Sequence, residues 1–484
     1  MGNVGLAGTP ARGNSLESST GRAKPSNGQP ATQWLYEAGW GVWMHYLDHS
    51  LLNPYQPWGP EFQSQCTPES WRELATNPAT LQIAVREWNR IVDGFDVKGL
   101  VRQLQELQAG FLVFTLGQVG GFYCSPNATL DSITASVAPG ISFCSRRDLA
   151  SELADELARA NLRLIVYVPA EIPPWNPLIC RAFDATDGTA NVAANQAAYA
   201  RWETVLRDWS RHFGMKASGW WIDNPNGIAG YQQTSVAGRT QPPVWSSLAD
   251  ALRAGNAHAI VTLAEWPPAP CSRWPISDYG SGECQPGTGQ YTCGGRWIDS
   301  RQWFSECALY AFDFRTRTFS AAPVIAGSAA AAQTRAIIAN GGVCAWDVSY
   351  NLDGTIASAY FAALKTIGQA VAATPIVRVY PEESDDLSEP SHRQLVLDLY
   401  QSKPGAVLCY TTDGTEPGAD SAPYSAPVLL TDEMGQQGFT LKARVFAKDA
   451  PVGELCVRTF APRDILDRSA ASASTCEPSC GKTQ

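Results

Sequence analysis

Ser218-Gly219-Trp220-Trp221-Ile222-Asp223-Asn224-Pro225-Asn226-Gly227 is a short apolar run that stops in a carboxylate. Gly219 to Ile222 reads as a strand, and Asn-Pro-Asn-Gly is a cluster of breakers that must end it. The carboxylate of Asp223 is therefore expected at the strand's C-terminal end. In an α/β barrel that end is where catalytic groups gather. The plain alternative is an aspartate that only caps a loop, since Asp is common in turns.

Outward from this stretch, short apolar runs alternate with amphipathic ones. Strands are expected at 40–45, 111–115, 162–168, 219–223, 258–263, 308–312, 323–326 and 342–347. Helices are expected at 97–109, 147–160, 195–213, 246–254, 329–340 and 356–371. Val97, Leu100, Val101, Leu104 and Leu107 recur at helical spacing, as do Leu149, Leu153, Leu157 and Ala160. Eight strands interleaved mostly with helices predict a (β/α)8 TIM-like barrel over residues 34–373. Residues 264–300, rich in Pro, Gly and Cys, read as one long functional loop.

Residues 1–33 are rich in Gly, Ser, Pro and Asn and read as disordered. Beyond 373 the texture becomes that of half-buried strands, at 394–399, 407–411, 427–430 and 440–446, separated by Asp-Gly and Pro signals. Residues 374–462 thus predict a small all-β sandwich module. Residues 463–484 read as a tail.

The formal net charge of −10 argues against a nucleic-acid partner, because phosphate binding needs a basic surface. No run is long and apolar enough to span a membrane. Of 13 cysteines, Cys124/Cys144 and Cys284/Cys293 are close enough in sequence to be bridged, and with only 5 histidines no cluster has zinc spacing. The cysteines and an Asn127-Ala128-Thr129 glycosylation acceptor favour a secreted or extracytoplasmic protein whose leader is absent from this sequence. Seventeen Trp and 16 Tyr suit core packing, and also stacking on sugar rings.

Several islands resemble the α-L-fucosidases, a retaining glycoside hydrolase family. Gly39-Trp40-Gly41-Val42-Trp43-Met44-His45-Tyr46 resembles the family's first barrel strand, which ends in His-Trp-Gly. Phe95-Asp96-Val97, a helix and Gln108-Ala109-Gly110 resemble its second element. Trp220 to Asp223 resembles its Trp-x-Asp strand, and Gly341 to Val348 resembles the last barrel strand of its relatives. The resemblance implies that Asp223 is the nucleophile. One segment departs: where the family carries His-His-Asp-Gly-Phe, this chain has Gly117-Gln118-Val119-Gly120-Gly121-Phe122. The resemblance therefore supports fold and reaction type better than fucose as substrate. In the C-terminal part, Tyr410 to Pro417, Ser421 to Tyr424 and Leu441 to Phe446 resemble the C-terminal domain of chitobiases and β-hexosaminidases. Such modules bind glycans or simply pack on the barrel.

Glycosidic bonds are cleaved by two carboxyl groups, one a nucleophile or base and the other an acid held protonated. Asp223 is the natural nucleophile. Two residues compete for the acid. Glu283, in Asp278-Tyr279-Gly280-Ser281-Gly282-Glu283, resembles the family's acid/base stretch and is favoured. Glu265 follows the fifth strand, and its neighbour Trp266 would raise its pKa by desolvation. Either also reads as a solvated loop glutamate. His45, Tyr46, Trp43, Gln118, Glu171 and Trp221 are candidate sugar contacts, and Asp347 a support for the pocket. No cofactor or metal is required. The expected function is a retaining exo-acting glycosidase acting on a carbohydrate substrate. The alternative is a carbohydrate-binding protein on an inactive barrel.

Overall fold

The computed structural model describes residues 30–46, 78–118, 120–174, 176–185, 192–224, 235–236, 239–240, 245–264, 274–284, 295–298, 300–313, 318–381, 395–403, 405–430 and 432–462. Eight parallel strands make the main sheet: β1 (Trp40–Met44), β2 (Phe111–Thr115), β3 (Arg163–Pro169), β4 (Ala217–Asp223), β5 (Ile260–Leu263), β6 (Glu283–Cys284), β7 (Phe304–Ala308) and β8 (Val343–Asp347). Their order is β5-β4-β3-β2-β1-β8-β7-β6, and every neighbouring pair is parallel. That is the cyclic order of a (β/α)8 barrel opened between β5 and β6. Residues 278–284 bridge the opening. Asp278 N–H donates to Val261 O at 2.7 Å, and Thr262 Oγ1 to Tyr279 O at 2.6 Å. On the other side Gly280 N–H donates to Gln302 O and Glu306 N–H to Gly282 O, both at 2.9 Å.

Two strands stand elsewhere than the sequence suggested. The sixth lies at 283–284, inside the stretch read as a long loop, and the seventh at 304–308, rather than at 308–312 and 323–326. Residues 321–326 are turns leading into a helix, with Val324 49% exposed. An apolar run without a ladder partner has no reason to be extended. Conversely, Phe304-Ser305-Glu306-Cys307-Ala308 looks polar because a carboxylate sits mid-strand.

The helices are α1 (Gln33–Ala38), α2 (Pro78–Asp93), α3 (Val97–Leu107), α4 (Leu149–Arg159), α5 (Val192–Phe213), α6 (Trp245–Leu252), α7 (Gly327–Ala339) and α8 (Ser358–Ala373), besides shorter turns. Helix α2 was not anticipated. Asp96 caps α3 by accepting from Gly99 N–H at 2.8 Å, and Asp148 caps α4. Between caps, Leu100, Leu104 and Leu107 of α3 and Leu149, Leu153 and Leu157 of α4 bury one stripe against the sheet.

Strand alternation splits the core. Val42, Leu112, Phe114, Val166 and Trp220 join the layer under the helices. Trp43, Phe111, Val113, Ile165, Tyr167, Trp221, Ile260, Tyr279, Phe304 and Ala345 fill the barrel interior. Helix α1 precedes β1 and adds Leu35 to this interior cluster, with Trp34 and Ala38 packed on it. It plugs the N-terminal end and leaves the C-terminal mouth for chemistry.

After α8 the chain builds two antiparallel sheets: β9 (Ile376–Pro381), β10 (Leu395–Tyr400) and β12 (Val428–Leu430) against β11 (Val407–Thr411), β13 (Phe439–Ala447) and β14 (Cys456–Phe460). Leu397, Leu399, Leu408, Leu441 and Val445 fill the space between them. The first sheet docks on the plugged end of the barrel. Arg378, 2% exposed, donates to Tyr36 O at 2.9 Å and pairs with Asp398 at 3.4 Å. Asp398 also accepts from the hydroxyls of Tyr36 and Tyr424. Tyr400 OH donates to Ala38 O at 2.9 Å. The module therefore sits on the face opposite the mouth.

Candidate active site

Asp223 is the last residue of β4, paired in register with Pro169 of β3. Its partner strand holds it in place: Ala170 N–H donates to Asp223 O at 2.7 Å. The side chain shares the inward alternation of Trp221. Tyr167 OH donates to Asp223 Oδ2 at 2.5 Å, and Gln118 Nε2 to the same oxygen at 3.3 Å. Gln118 also donates to Tyr167 OH, so the three groups form a closed set. Both bonds fall on Oδ2. Among the described residues none reaches Oδ1, and a carboxylate held by one oxygen presents the other. The Tyr167 ring is locked in turn, stacked on Trp221 at 5.2 Å and 11°.

Glu171 lies two residues beyond Pro169, hence on the same alternation, beside Asp223. Asn224 Nδ2 donates to Glu171 Oε1 at 2.8 Å. Asn224 adopts φ 49°, a left-handed conformation that Asn tolerates better than most residues. Burial, and secondly the neighbouring Asp223 charge, push the Glu171 carboxyl up to about 7, against the opposing pull of the Asn224 bond.

Across the mouth, Asp347 ends β8 with no exposed surface. Its Oδ2 accepts from Tyr310 OH and bonds His45 Nδ1, one residue past β1. A carboxylate only accepts, so Nδ1 carries the proton. The imidazole is 21% exposed and meets the Tyr167 ring edge-on at 5.1 Å. One aromatic block thus braces both halves of the site.

The structure gathers Asp223, Glu171, Gln118 and His45, and corrects other expectations. Tyr46 is 2% exposed in the layer under the helices, stacked on Phe114 at 5.3 Å. One residue past His45, alternation turns it away from the mouth. Trp43 and Trp221 are 0% and 1% exposed and cross edge-to-face at 4.8 Å, so they are a floor beneath the site rather than open stacking platforms. Glu283 stands in β6, its backbone paired with Glu306 of β7, not in a loop. Glu265 and Val119 lie outside the described residues. Cys124 and Cys144 are buried free thiols, not a disulfide; Cys124 Sγ donates instead to Thr115 O at 3.7 Å. Cys293 lies outside the described residues.

Four groups escaped sequence reading: Tyr167, Asn224, Tyr310 and Glu306, the last 7% exposed on the inward alternation of Phe304. Asn224 and Tyr167 flank motifs that were in view. Glu306 lay in a strand that was misplaced. Tyr310 sits just past that strand, and its partner is 37 residues away.

A family profile for the chitobiase/beta-hexosaminidase C-terminal domain matches residues 391–453. No curated protein matches the chain. Among solved structures it is similar to an endo-fucoidan hydrolase of glycoside hydrolase family 107, at 14% identity and TM-score 0.48, covering 77% of this chain and 64% of that one. A second enzyme of that description aligns at 13% and 0.49, covering 89% and 80%. A family GH29 α-L-fucosidase from Bacteroides thetaiotaomicron aligns at 12% and 0.48, covering 89% and 96%. The chain spans a little under two thirds of the length of the first fucoidan hydrolase.

Proposed function

We propose that this chain is a retaining, exo-acting glycoside hydrolase of α-L-fucosidase-like type, with its sugar specificity altered at Gln118. The observation that carries the reading is Asp223, a strand-end carboxylate with Oδ2 oriented by Tyr167 and Gln118 and Oδ1 left for attack. Asp223 attacks the anomeric carbon. Glu283, from β6, protonates the departing oxygen and then activates water, so two inversions give net retention. His45 Nε2 binds a sugar hydroxyl, its ring set by Asp347. Gln118 stands where fucosidases have an imidazole. It spends its amide on Tyr167 and Asp223, which favours another glycoside, or a substituted fucose, over a simple aryl α-L-fucoside.

The test is a screen of aryl glycosides with the full chain, reading product anomers by NMR. Turnover with retention supports the proposal, and inversion refutes the nucleophile. Sugar binding without turnover of any glycoside would leave the second reading, a carbohydrate-binding protein on an inactive barrel, which the missing His-His-Asp favours.

A further inference from the structure

We propose that Glu171 is a specificity-determining residue: in its neutral form, beside Asp223, it donates its Oε2 proton to a sugar hydroxyl next to the bond being cleaved. The inference rests on the glycosidase reading and gives a role to a carboxyl that the two-carboxylate mechanism does not use.

The geometry comes first. Asn224 Nδ2 occupies Glu171 Oε1. With Oε1 taken by that amide, Oε2 is the oxygen that carries the proton whenever Glu171 is neutral. No other hydrogen bond reaches Glu171 among the described residues. Asp223, facing it from β4, is the charged group that acts on it. Tyr167 on its own strand bonds Asp223, while His45 and Tyr310 across the mouth bond Asp347. No lysine or arginine among the described residues pairs with either carboxylate. Two adjacent carboxylates without a cation do not both ionise readily, and here burial and the Asp223 charge raise Glu171. A carboxylic acid kept neutral at pH 7 is a strong hydrogen-bond donor, which a carboxylate can never be.

The sign follows. With its pKa raised to about 7, Glu171 is protonated and competent below that value, and the donor is lost as pH rises through it. Binding of the sugar weakens on the alkaline side.

Two measurements on the full chain test this. The first is a 13C NMR titration of Glu Cδ without substrate. Among the described residues Glu203 on α5 is also pushed up to about 7 by burial, and Glu283 as the protonated acid would join it, so several glutamates should titrate there. Glu171→Gln should delete one of them, and Asp223→Asn should move the same one to lower pH. If none of these resonances is lost in Glu171→Gln, or Asp223→Asn moves none of them, the inference is wrong. The second uses the best aryl glycoside from the screen. Glu171→Gln, which keeps a donor, should lose about tenfold in kcat/KM at pH 6 and flatten the fall above pH 7. Glu171→Ala should lose about 10²- to 10³-fold, mostly in KM. Azide rescue of Glu171→Ala would instead make Glu171 the acid/base and overturn the assignment. If the glycosidase reading alone fails, no aryl glycoside is turned over while the titration keeps its expected form.

Discussion

Both ends of the barrel are built around carboxylates bonded by tyrosines, yet they are wired differently. At the plugged end, Asp398 accepts from Tyr36 and Tyr424 and faces the Arg378 guanidinium, which also stacks over the Tyr36 ring at 3.9 Å. At the mouth, Asp223 accepts from Tyr167 and Gln118, and its titratable neighbour is another carboxyl, Glu171. The same residue types give a balanced joint in one place and an unbalanced pair in the other. A desolvated carboxylate facing a cation has its charge balanced and serves as a joint. One that faces a second carboxyl raises that neighbour's pKa instead, and perturbed groups of that kind mark sites of chemistry.

The largest test of this contrast is removal of residues 374–484. The joint would lose Arg378, Asp398 and Tyr400, exposing Tyr36 and the α1 plug, so no soluble folded barrel is expected by size-exclusion chromatography and circular dichroism. A soluble, active barrel would show that the module is an accessory only. Next is Asp223→Asn, which keeps shape and removes the nucleophile. It should lower kcat by about 10⁴-fold or more with no fall in Tm. Retention of most activity would break the assignment. Arg378→Leu leaves Asp398 buried without its cation and should cost about 3–5 kcal/mol in denaturant unfolding, while kcat on a small substrate stays unchanged. Adding Asp398→Leu should recover part of that loss. The smallest effect belongs to His45→Ala, about 10²-fold in kcat/KM with Tm little changed, since a part-exposed ring loses one sugar contact. An equal loss of stability would place His45 with the structural residues.

The sequence made six of the eight barrel strands legible, because β1 to β5 and β8 are apolar runs between breakers. Strand β7 escaped because Glu306 interrupts its apolar pattern, and β6 because its ladder is two residues long behind Gly280-Ser281-Gly282. Polar groups directed into a barrel mouth disguise the strands that carry them. Asp223 was readable because it ends an otherwise apolar strand. Its setting was not, since Tyr167 and Gln118 reach it from 56 and 105 residues away. A one-residue shift in alternation decided Tyr46 against His45, and no composition argument resolves a single residue.

The joint at the plugged end also sets a clock. Tyr36 and Asp398 are 362 residues apart. At ribosomal rates of about 5–20 residues per second, the tyrosine emerges about 20–70 s before its partner has been made. Through that interval α1 and its aromatic face wait without the surface that will cover them. The barrel can wrap on the ribosome strand by strand, but its plugged end is sealed only once Asp398 has been synthesised. A mutation that weakens the module would then act first on the yield of nascent protein, before any effect on the finished molecule.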